Sequence, residues 1–199
     1  MREEEVKKAL GKSGAILEGH FKLSSGLHSS MYVQCALALA HPVLAEKLGS
    51  ALAEKLGFPE ADVVLGPALG GVIIAQELAR ALSHHHKREV LAFFSERKDS
   101  EMILRRGFVL APKQKVIMVE DVVTTGKSIL EAAELVKKAG AQIIGWGSIV
   151  NRSGGKFTSK PPLTSLLTLE IINHNPEDCP QCKKGVGLYK PGSRPEGKK

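Results

Sequence analysis

The sequence predicts an α/β domain in which a parallel sheet is flanked by helices. Short apolar runs alternate with segments of helical periodicity along its 199 residues, and this alternation is typical of parallel strands joined by helices. Two strand-to-helix junctions contain glycine, at 66–71 and 124–128, and the carboxylates of Glu120 and Asp121 precede the second. Because the length suits one domain with a full core, we predict a single domain over 1–199.

Helical periodicity predicts four helices. The first has Val6, Ala9 and Leu10 on one face, and the second begins at Pro42 and ends before Gly57, as proline and glycine favour. The predicted helices cover 3–12, 42–56, about 72–82 and 127–139.

Apolar runs predict the core strands, and alternation around a Ser/Gly turn predicts two short strands near the N-terminus. The short pair lies within 21–34. The core strands are expected at 61–65, 90–94, 116–119, 141–150 and 163–172.

The segment 116–128 carries the clearest chemistry. A buried strand ends in Glu120 and Asp121, and a short polar loop then leads into a helix. Ligands of parallel sheets bind at the carboxyl ends of strands, and a helix start offers unpaired N–H groups to a phosphate. Since carboxylates accept hydrogen bonds from hydroxyls, the segment predicts a phosphorylated sugar as ligand. The loop residues are Thr124, Thr125, Gly126, Lys127 and Ser128.

Two other interpretations of this segment exist. A nucleoside-triphosphate P-loop ending in Gly126-Lys127-Ser128 needs a glycine five residues before Gly126, where this chain has Asp121. A simple strand-to-helix turn with incidental carboxylates is the second interpretation.

The segment 116–128 resembles the 5-phosphoribosyl 1-diphosphate (PRPP) signature of type I phosphoribosyltransferases. The resemblance implies that Glu120 and Asp121 hold the ribose hydroxyls and that the loop Thr124–Ser128 holds the 5′-phosphate. The junction 66–71 then corresponds to the pyrophosphate loop, whose common lysine is absent here. The PRPP-binding positions in that junction are Ala68, Leu69 and Gly70.

Further segments resemble the orotate phosphoribosyltransferases. The stretch 21–34 is similar to an element of the hood over the base, which implies that Tyr32 and Val33 contact orotate; an ordinary hairpin is the alternative. Ser24 stands where many members carry a base-contacting lysine. Arg152 matches the arginine that holds the orotate carboxylate, because a guanidinium can donate two parallel hydrogen bonds. Thr124 also belongs to the implied orotate site, and the hood is expected from 15–35 and 151–175.

The polar stretch 95–108 is long for a connection in a compact domain, and such connections are often lids. It resembles the family's mobile catalytic loop, which begins with Arg97-Lys98, whereas a solvated hairpin is the alternative. The resemblance implies catalytic roles for Arg97, Lys98 and Asp121, and PRPP contacts for Arg97, Lys98 and Arg105.

The same stretch departs from the family at two positions. Glu101 and Ile103 stand where many members carry a lysine and a histidine. Arg105 and Arg106 are candidates to replace the missing positive charge.

The resemblance, which covers about 21–194, implies a full activity. Orotate and PRPP would give orotidine 5′-monophosphate and pyrophosphate, with Mg²⁺ as cofactor and no direct protein ligand to it. The reaction would belong to de novo pyrimidine synthesis. The resemblance also implies a homodimer whose subunits share their active sites. A phosphoribosyltransferase for another base, or a PRPP-sensing regulator that binds nucleic acid, are the alternatives.

Charge and hydropathy limit the classes of partner expected for this protein. Of the net charge of +7, the tail 183–199 contributes +5, and a short basic tail is more often solvated than a nucleic-acid arm. Apolar runs shorter than a membrane span and an N-terminus unlike a signal peptide predict a cytoplasmic protein without membrane or nucleic-acid partners.

Cys179 and Cys182 have the spacing of half a zinc site. His174 could add a ligand, but a complete site needs another residue from elsewhere. Two reduced thiols are the alternative, with Cys35 as the third cysteine.

Overall fold

Two sheets organise the chain in a computed structural model that describes residues 1–23 and 25–190. The helices are α1 (Glu3–Lys12), α2 (Cys35–Leu39), α3 (Pro42–Lys55), α4 (Gly70–His86), α5 (Lys127–Lys138) and α6 (Pro180–Lys183). The strands are β1 (Ile16–Lys22), β2 (His28–Val33), β3 (Val63–Pro67), β4 (Leu91–Lys98), β5 (Glu101–Leu104), β6 (Lys115–Val123), β7 (Gln142–Asn151), β8 (Leu163–Thr168) and β9 (Asn173–His174).

The large sheet has the strand order β5-β4-β3-β6-β7-β8. All its pairs are parallel except the pair of β4 with β5. This confirms the predicted parallel sheet flanked by helices. Strand β6 lies in the middle, between β3 and β7, so the carboxylate pair is carried by one of the best-supported strands of the fold.

Alternate side chains of β6 build two separate cores. Ile117 and Val119 pack on one face with apolar residues of α3 and α4. Val116 and Met118 pack on the other face, against α5. Successive side chains of a strand point to opposite faces, so the continuous apolar run 116–119 is explained by a sheet that is covered on both sides.

The small sheet, which we call the hood, has the order β1-β2-β9 and is antiparallel. Its first two strands form the predicted hairpin, but β1 begins at Ile16 and lies mostly before the predicted range 21–34. The predicted hood range 151–175 is only partly correct, because β8 pairs with β7 in the large sheet. The chain leaves the large sheet after Thr168 and reaches the hood at β9, so the final strand is shorter than predicted.

The polar stretch that follows Phe94 does not leave the sheet as a loop. Strand β4 continues to Lys98 and pairs with β5 through a turn at Asp99 and Ser100, both with positive φ. Met102 and Leu104 pack against the core on the α5 side. These two contacts give the polar hairpin an apolar side, which explains why strand pairing continues here.

None of the helices within 1–23 and 25–190 combines the length and the apolar character needed to cross a membrane.

Candidate active site

The carboxylates of Glu120 and Asp121 lie at the carboxyl end of β6, as predicted. Asp121 Oδ1 accepts the backbone N–H of Val122 at 2.8 Å. The Asp121 carboxylate lies directly over Gly70, where an added Cβ would stand 2.3 Å from Oδ1. A side chain at position 70 would displace this carboxylate, so the acidic pair and the glycine junction 66–71 form one continuous surface.

Burial raises the pKa of both carboxyl groups. The pKa of Glu120 rises to about 8, because of desolvation and then because of the neighbouring Asp121. Desolvation also raises the pKa of Asp121, against the opposing hydrogen bond from Val122. Among the described residues, no lysine or arginine nitrogen lies within 4.0 Å of either carboxylate. The pair therefore suits hydroxyl donors or a cation brought by a ligand.

The predicted phosphate loop, residues 124–128, turns at Gly126, which has φ +72° and precedes α5. A Cβ at this position would stand 2.1 Å from the ring of Phe157, so both the backbone and the space require glycine. Thr124, Thr125 and Lys127 are exposed around it. The start of α5 presents backbone N–H groups without intrahelical partners, as a phosphate site requires, and the N–H of Lys127 donates to Thr125 Oγ1 at 3.3 Å. No pattern in the sequence indicated that Phe157 covers this loop.

The junction after β3 offers backbone groups and no charge. Ala68 N–H donates to the carbonyl of Ser95 at 2.8 Å, and the Ala68–Leu69 peptide bond is cis. Leu69 is 87% exposed, and α4 begins at Gly70. The predicted pyrophosphate loop is thus next to the acidic pair, and its contribution must come from the backbone.

Arg152 follows β7, beside the acidic strand. Its backbone N–H donates to Val123 O at 2.7 Å. Its Nε is buried and has no hydrogen-bond partner among the described residues, and burial lowers its pKa, partly offset by Tyr32. A half-buried guanidinium with one buried, unused donor is well suited to an anionic ligand.

The hood brings only one of its two predicted residues to Arg152. Tyr32 is half-buried and lies near enough to Arg152 to raise the pKa of its guanidinium slightly, against the larger effect of burial. Val33, the next residue of β2, is 6% exposed and packs in the core beneath. Neighbours on a strand face opposite sides, so the Val33 side chain supports the site from behind. Ser24 lies outside the described residues.

Two arginines in and next to the hairpin β4–β5 form ion pairs within their own chain. Arg97 donates to Ser100 O at 2.7 Å and forms an ion pair with Glu131 of α5. Arg106 pairs with Glu96 at 2.6 Å. Arg97 is therefore near the helix that carries the phosphate loop. Lys98 and Arg105 are exposed.

A carboxylate pair, a predicted phosphate loop and a glycine junction lie together at the carboxyl ends of parallel strands. This combination of fold and site is typical of the phosphoribosyltransferases. Residues 39–181 match the family described as the phosphoribosyl transferase domain. The orotate phosphoribosyltransferase of Carboxydothermus hydrogenoformans is 52% identical over 182 residues, which cover 90% of this chain and 92% of the relative. That of Pelotomaculum thermopropionicum is 45% identical over 194 residues, covering 98% and 99%.

Solved structures of orotate phosphoribosyltransferases have a similar fold. Orotate phosphoribosyltransferase from Aeropyrum pernix superposes with a TM-score of 0.66 at 28% identity, covering 83% of this chain and 94% of that one. The Mycobacterium tuberculosis enzyme in complex with PRPP shares the fold, with a TM-score of 0.61 at 22% identity and coverage of 83% and 89%. The chain belongs to the orotate phosphoribosyltransferase family.

The raised pKa of Glu120 predicts how stability depends on pH. Between the ordinary value of 4.5 and about 8, the native state keeps a proton that the unfolded state releases. The free energy of unfolding of the ligand-free protein should therefore fall as pH rises through this window, by on the order of 5 kcal/mol. In Glu120→Gln most of this decrease should disappear, as measured by urea unfolding across pH.

Glu134→Gln is the control for this measurement, because Glu134 is exposed on α5 and pairs only with Lys137 among the described residues. It should keep the parental pH dependence. An unchanged pH dependence in Glu120→Gln would show that Glu120 is ionised in the free protein.

Proposed function

We propose that this chain transfers the phosphoribosyl group of PRPP to orotate, giving orotidine 5′-monophosphate and pyrophosphate. The observation that carries the choice of base is Arg152, a half-buried cation whose buried Nε has no hydrogen-bond partner among the described residues, beside Tyr32 and one strand away from the acidic pair. Orotate carries the carboxylate that this guanidinium needs. The relatives named above are orotate phosphoribosyltransferases over nearly their whole length.

The reaction needs no protein nucleophile. A ring N–H of orotate gives up its proton to solvent or to the departing pyrophosphate, and its nitrogen forms a bond to the anomeric carbon. The bond from that carbon to the pyrophosphate oxygen breaks, and the electron pair leaves with pyrophosphate. The proposed roles are orientation of the ribose by Glu120 and Asp121, and of the 5′-phosphate by the loop at Gly126. Holding both reactants in line lowers the barrier by removing their freedom before reaction.

Mg²⁺ fits the acidic side of this site. The buried carboxylates of Glu120 and Asp121 can accept hydrogen bonds from hydroxyls or waters that bind the ion, in keeping with the expectation of no direct protein ligand. When bound with PRPP, Mg²⁺ would supply positive charge for the leaving pyrophosphate. Hydroxyls or waters held by these carboxylates would keep it in place. Leu69 and Gly70 add no charge of their own there, which increases the need for the cation.

The direct test of the activity is product analysis. With orotate, PRPP and Mg²⁺, the protein should form orotidine 5′-monophosphate and pyrophosphate in equal amounts, and neither should form when one substrate is left out. Pyrophosphate released without nucleotide would indicate hydrolysis of PRPP instead. A cytoplasmic location and the lack of nucleic-acid binding stay predictions; residues 191–199 of the basic tail lie outside the described part of the chain.

We further propose a two-fold homodimer in which the β4–β5 hairpin of each chain serves its partner's site. Mixing two inactive proteins tests this: a hairpin variant, Arg97→Ala with Lys98→Ala, and a site variant, Asp121→Asn. Random re-pairing makes about half of the dimers mixed, and each has one intact site, so roughly a quarter of the parental activity should return.

Subunit exchange must be verified by mass spectrometry of the mixture. The ion pair between Arg97 and Glu131 within one chain describes the ligand-free arrangement that the hairpin would have to leave. Verified mixed dimers without recovered activity would show that Arg97 and Lys98 serve their own chain.

A further inference from the structure

Four side chains that can bind metal converge where the C-terminal segment meets the hood. His20 and His28 come from β1 and β2, and Cys179 and Cys182 flank the start of α6. Their donor atoms all lie within 4.8 Å of one another. His20, His28 and Cys179 are each less than 5% exposed, whereas Cys182 is exposed. The cluster is separate from the site at the ends of β6 and β7.

The distances match a tetrahedral ion. The His20 Nε2 to His28 Nδ1 distance is 3.0 Å. Nitrogen and sulfur are separated by 3.3 Å for His20 with Cys179, 3.6 Å for His20 with Cys182, and 3.2 Å for His28 with Cys182. With usual zinc bond lengths, a tetrahedron separates two nitrogens by about 3.3 Å and a nitrogen from a sulfur by about 3.6 Å. A small expansion of the cluster would therefore accommodate the ion.

The tautomer of His20 is fixed for metal binding. Its Nδ1 lies 2.9 Å from the carbonyl oxygen of Val186. A carbonyl only accepts, so Nδ1 must carry the proton and the Nε2 lone pair faces the cluster. Histidine ligands of metals commonly donate their other N–H in this way, to a carbonyl or a carboxylate.

We propose that His20, His28, Cys179 and Cys182 bind one structural Zn²⁺. Two imidazoles and two thiolates are a usual zinc set, and four protein ligands leave no open position for catalysis. His174, the ligand considered from sequence, pairs through its backbone with His28 in the hood but is not a member of the cluster. Histidines far away in the sequence complete the half-site instead.

The ion would fasten the C-terminal segment to the hood. Among the described residues, Gln181 Nε2 donates to Gly19 O at 2.8 Å, Tyr189 exchanges backbone hydrogen bonds with His20 and Lys22, and the rings of Tyr189 and Phe21 are in edge contact. The hood has three strands among the described residues. In such small elements, metal binding supplies folding free energy that a core cannot.

Metal analysis of the untagged protein, purified with a reducing agent and without chelator, tests the proposal. About one zinc per chain is expected. After dialysis, the zinc content of Cys182→Ser should be at least ~10-fold lower than that of the parent, because one of four ligands is lost. His174→Ala is the matched control: it removes a histidine from the same sheet and should keep its zinc. Chelation should lower the melting temperature of the parent and of His174→Ala, but leave that of Cys182→Ser unchanged.

Cobalt gives a readout that does not depend on any variant. The zinc-free parent titrated with Co²⁺ should develop the visible absorption of a tetrahedral ion and a thiolate charge-transfer band, saturating at one ion per chain. Folded parent protein with reduced thiols that binds neither zinc nor cobalt would overturn the proposal. So would a disulfide between Cys179 and Cys182 in protein kept under reducing conditions, or equal zinc loss in His174→Ala and Cys182→Ser.

Discussion

Asp121→Asn is expected to fold like the parent and to lose transferase activity by about 30- to 150-fold, which corresponds to the loss of one charge-assisted contact of roughly 2–3 kcal/mol. The carboxylate faces Gly70 and the glycine junction, not the apolar core. Its pKa is raised by burial, so a neutral amide removes an unfavourable buried charge and should not destabilise the free protein.

The matched control for this variant is Asp62→Asn. Asp62 Oδ2 accepts the backbone N–H of Lys115 at 2.8 Å, at the opposite end of β6 from Asp121. Both substitutions alter a carboxylate that accepts a backbone N–H of the same strand region, but only one lies at the site. Activity should be measured together with the unfolding transition. Parental turnover in well-folded Asp121→Asn would remove Asp121 from the active site.

Arg152→Ala is expected to raise the KM for orotate by about 30-fold or more while changing the KM for PRPP by less than about threefold, since one charge-assisted, two-donor contact to the base is lost. The side chain has a buried Nε without a partner among the described residues, so its removal should leave stability unchanged or higher. Separate saturation curves for the two substrates provide the measurement.

Arg152→Lys separates charge from geometry. A lysine keeps the positive charge but cannot donate two parallel hydrogen bonds, so its KM for orotate should lie between those of the parent and Arg152→Ala. Equal increases of both KM values in Arg152→Ala would mean that Arg152 does not recognise the base.

The acidic pair could be located from sequence because all its signals are local. The apolar run of β6, the two carboxylates and the loop at Gly126 are contiguous, and strand order does not change their relation. The sequence alone could not distinguish the hairpin β4–β5 from a loop. Its polar residues form strands because Met102 and Leu104 pack against the core on the α5 side, which is a tertiary contact.

Contacts between distant segments set the limit of prediction. Phe157 covers Gly126 from a stretch without regular structure, and no periodicity indicates such a contact. His20 and His28 meet Cys179 and Cys182 across more than 150 residues of sequence. The spacing of the two cysteines can be recognised in the sequence. The histidines that lie beside them cannot, because they depend on how the C-terminal segment packs against the hood.

The central claim is that Arg152 and the carboxylate pair select orotate and PRPP together. The most direct test is pyrophosphate release by the parent protein from PRPP and Mg²⁺ with orotate, uracil, hypoxanthine or adenine supplied separately. Release is expected with orotate at a kcat/KM at least ~100-fold above that with uracil, which lacks the carboxylate that Arg152 would bind. Release with uracil or a purine equal to that with orotate would contradict the assignment of the base.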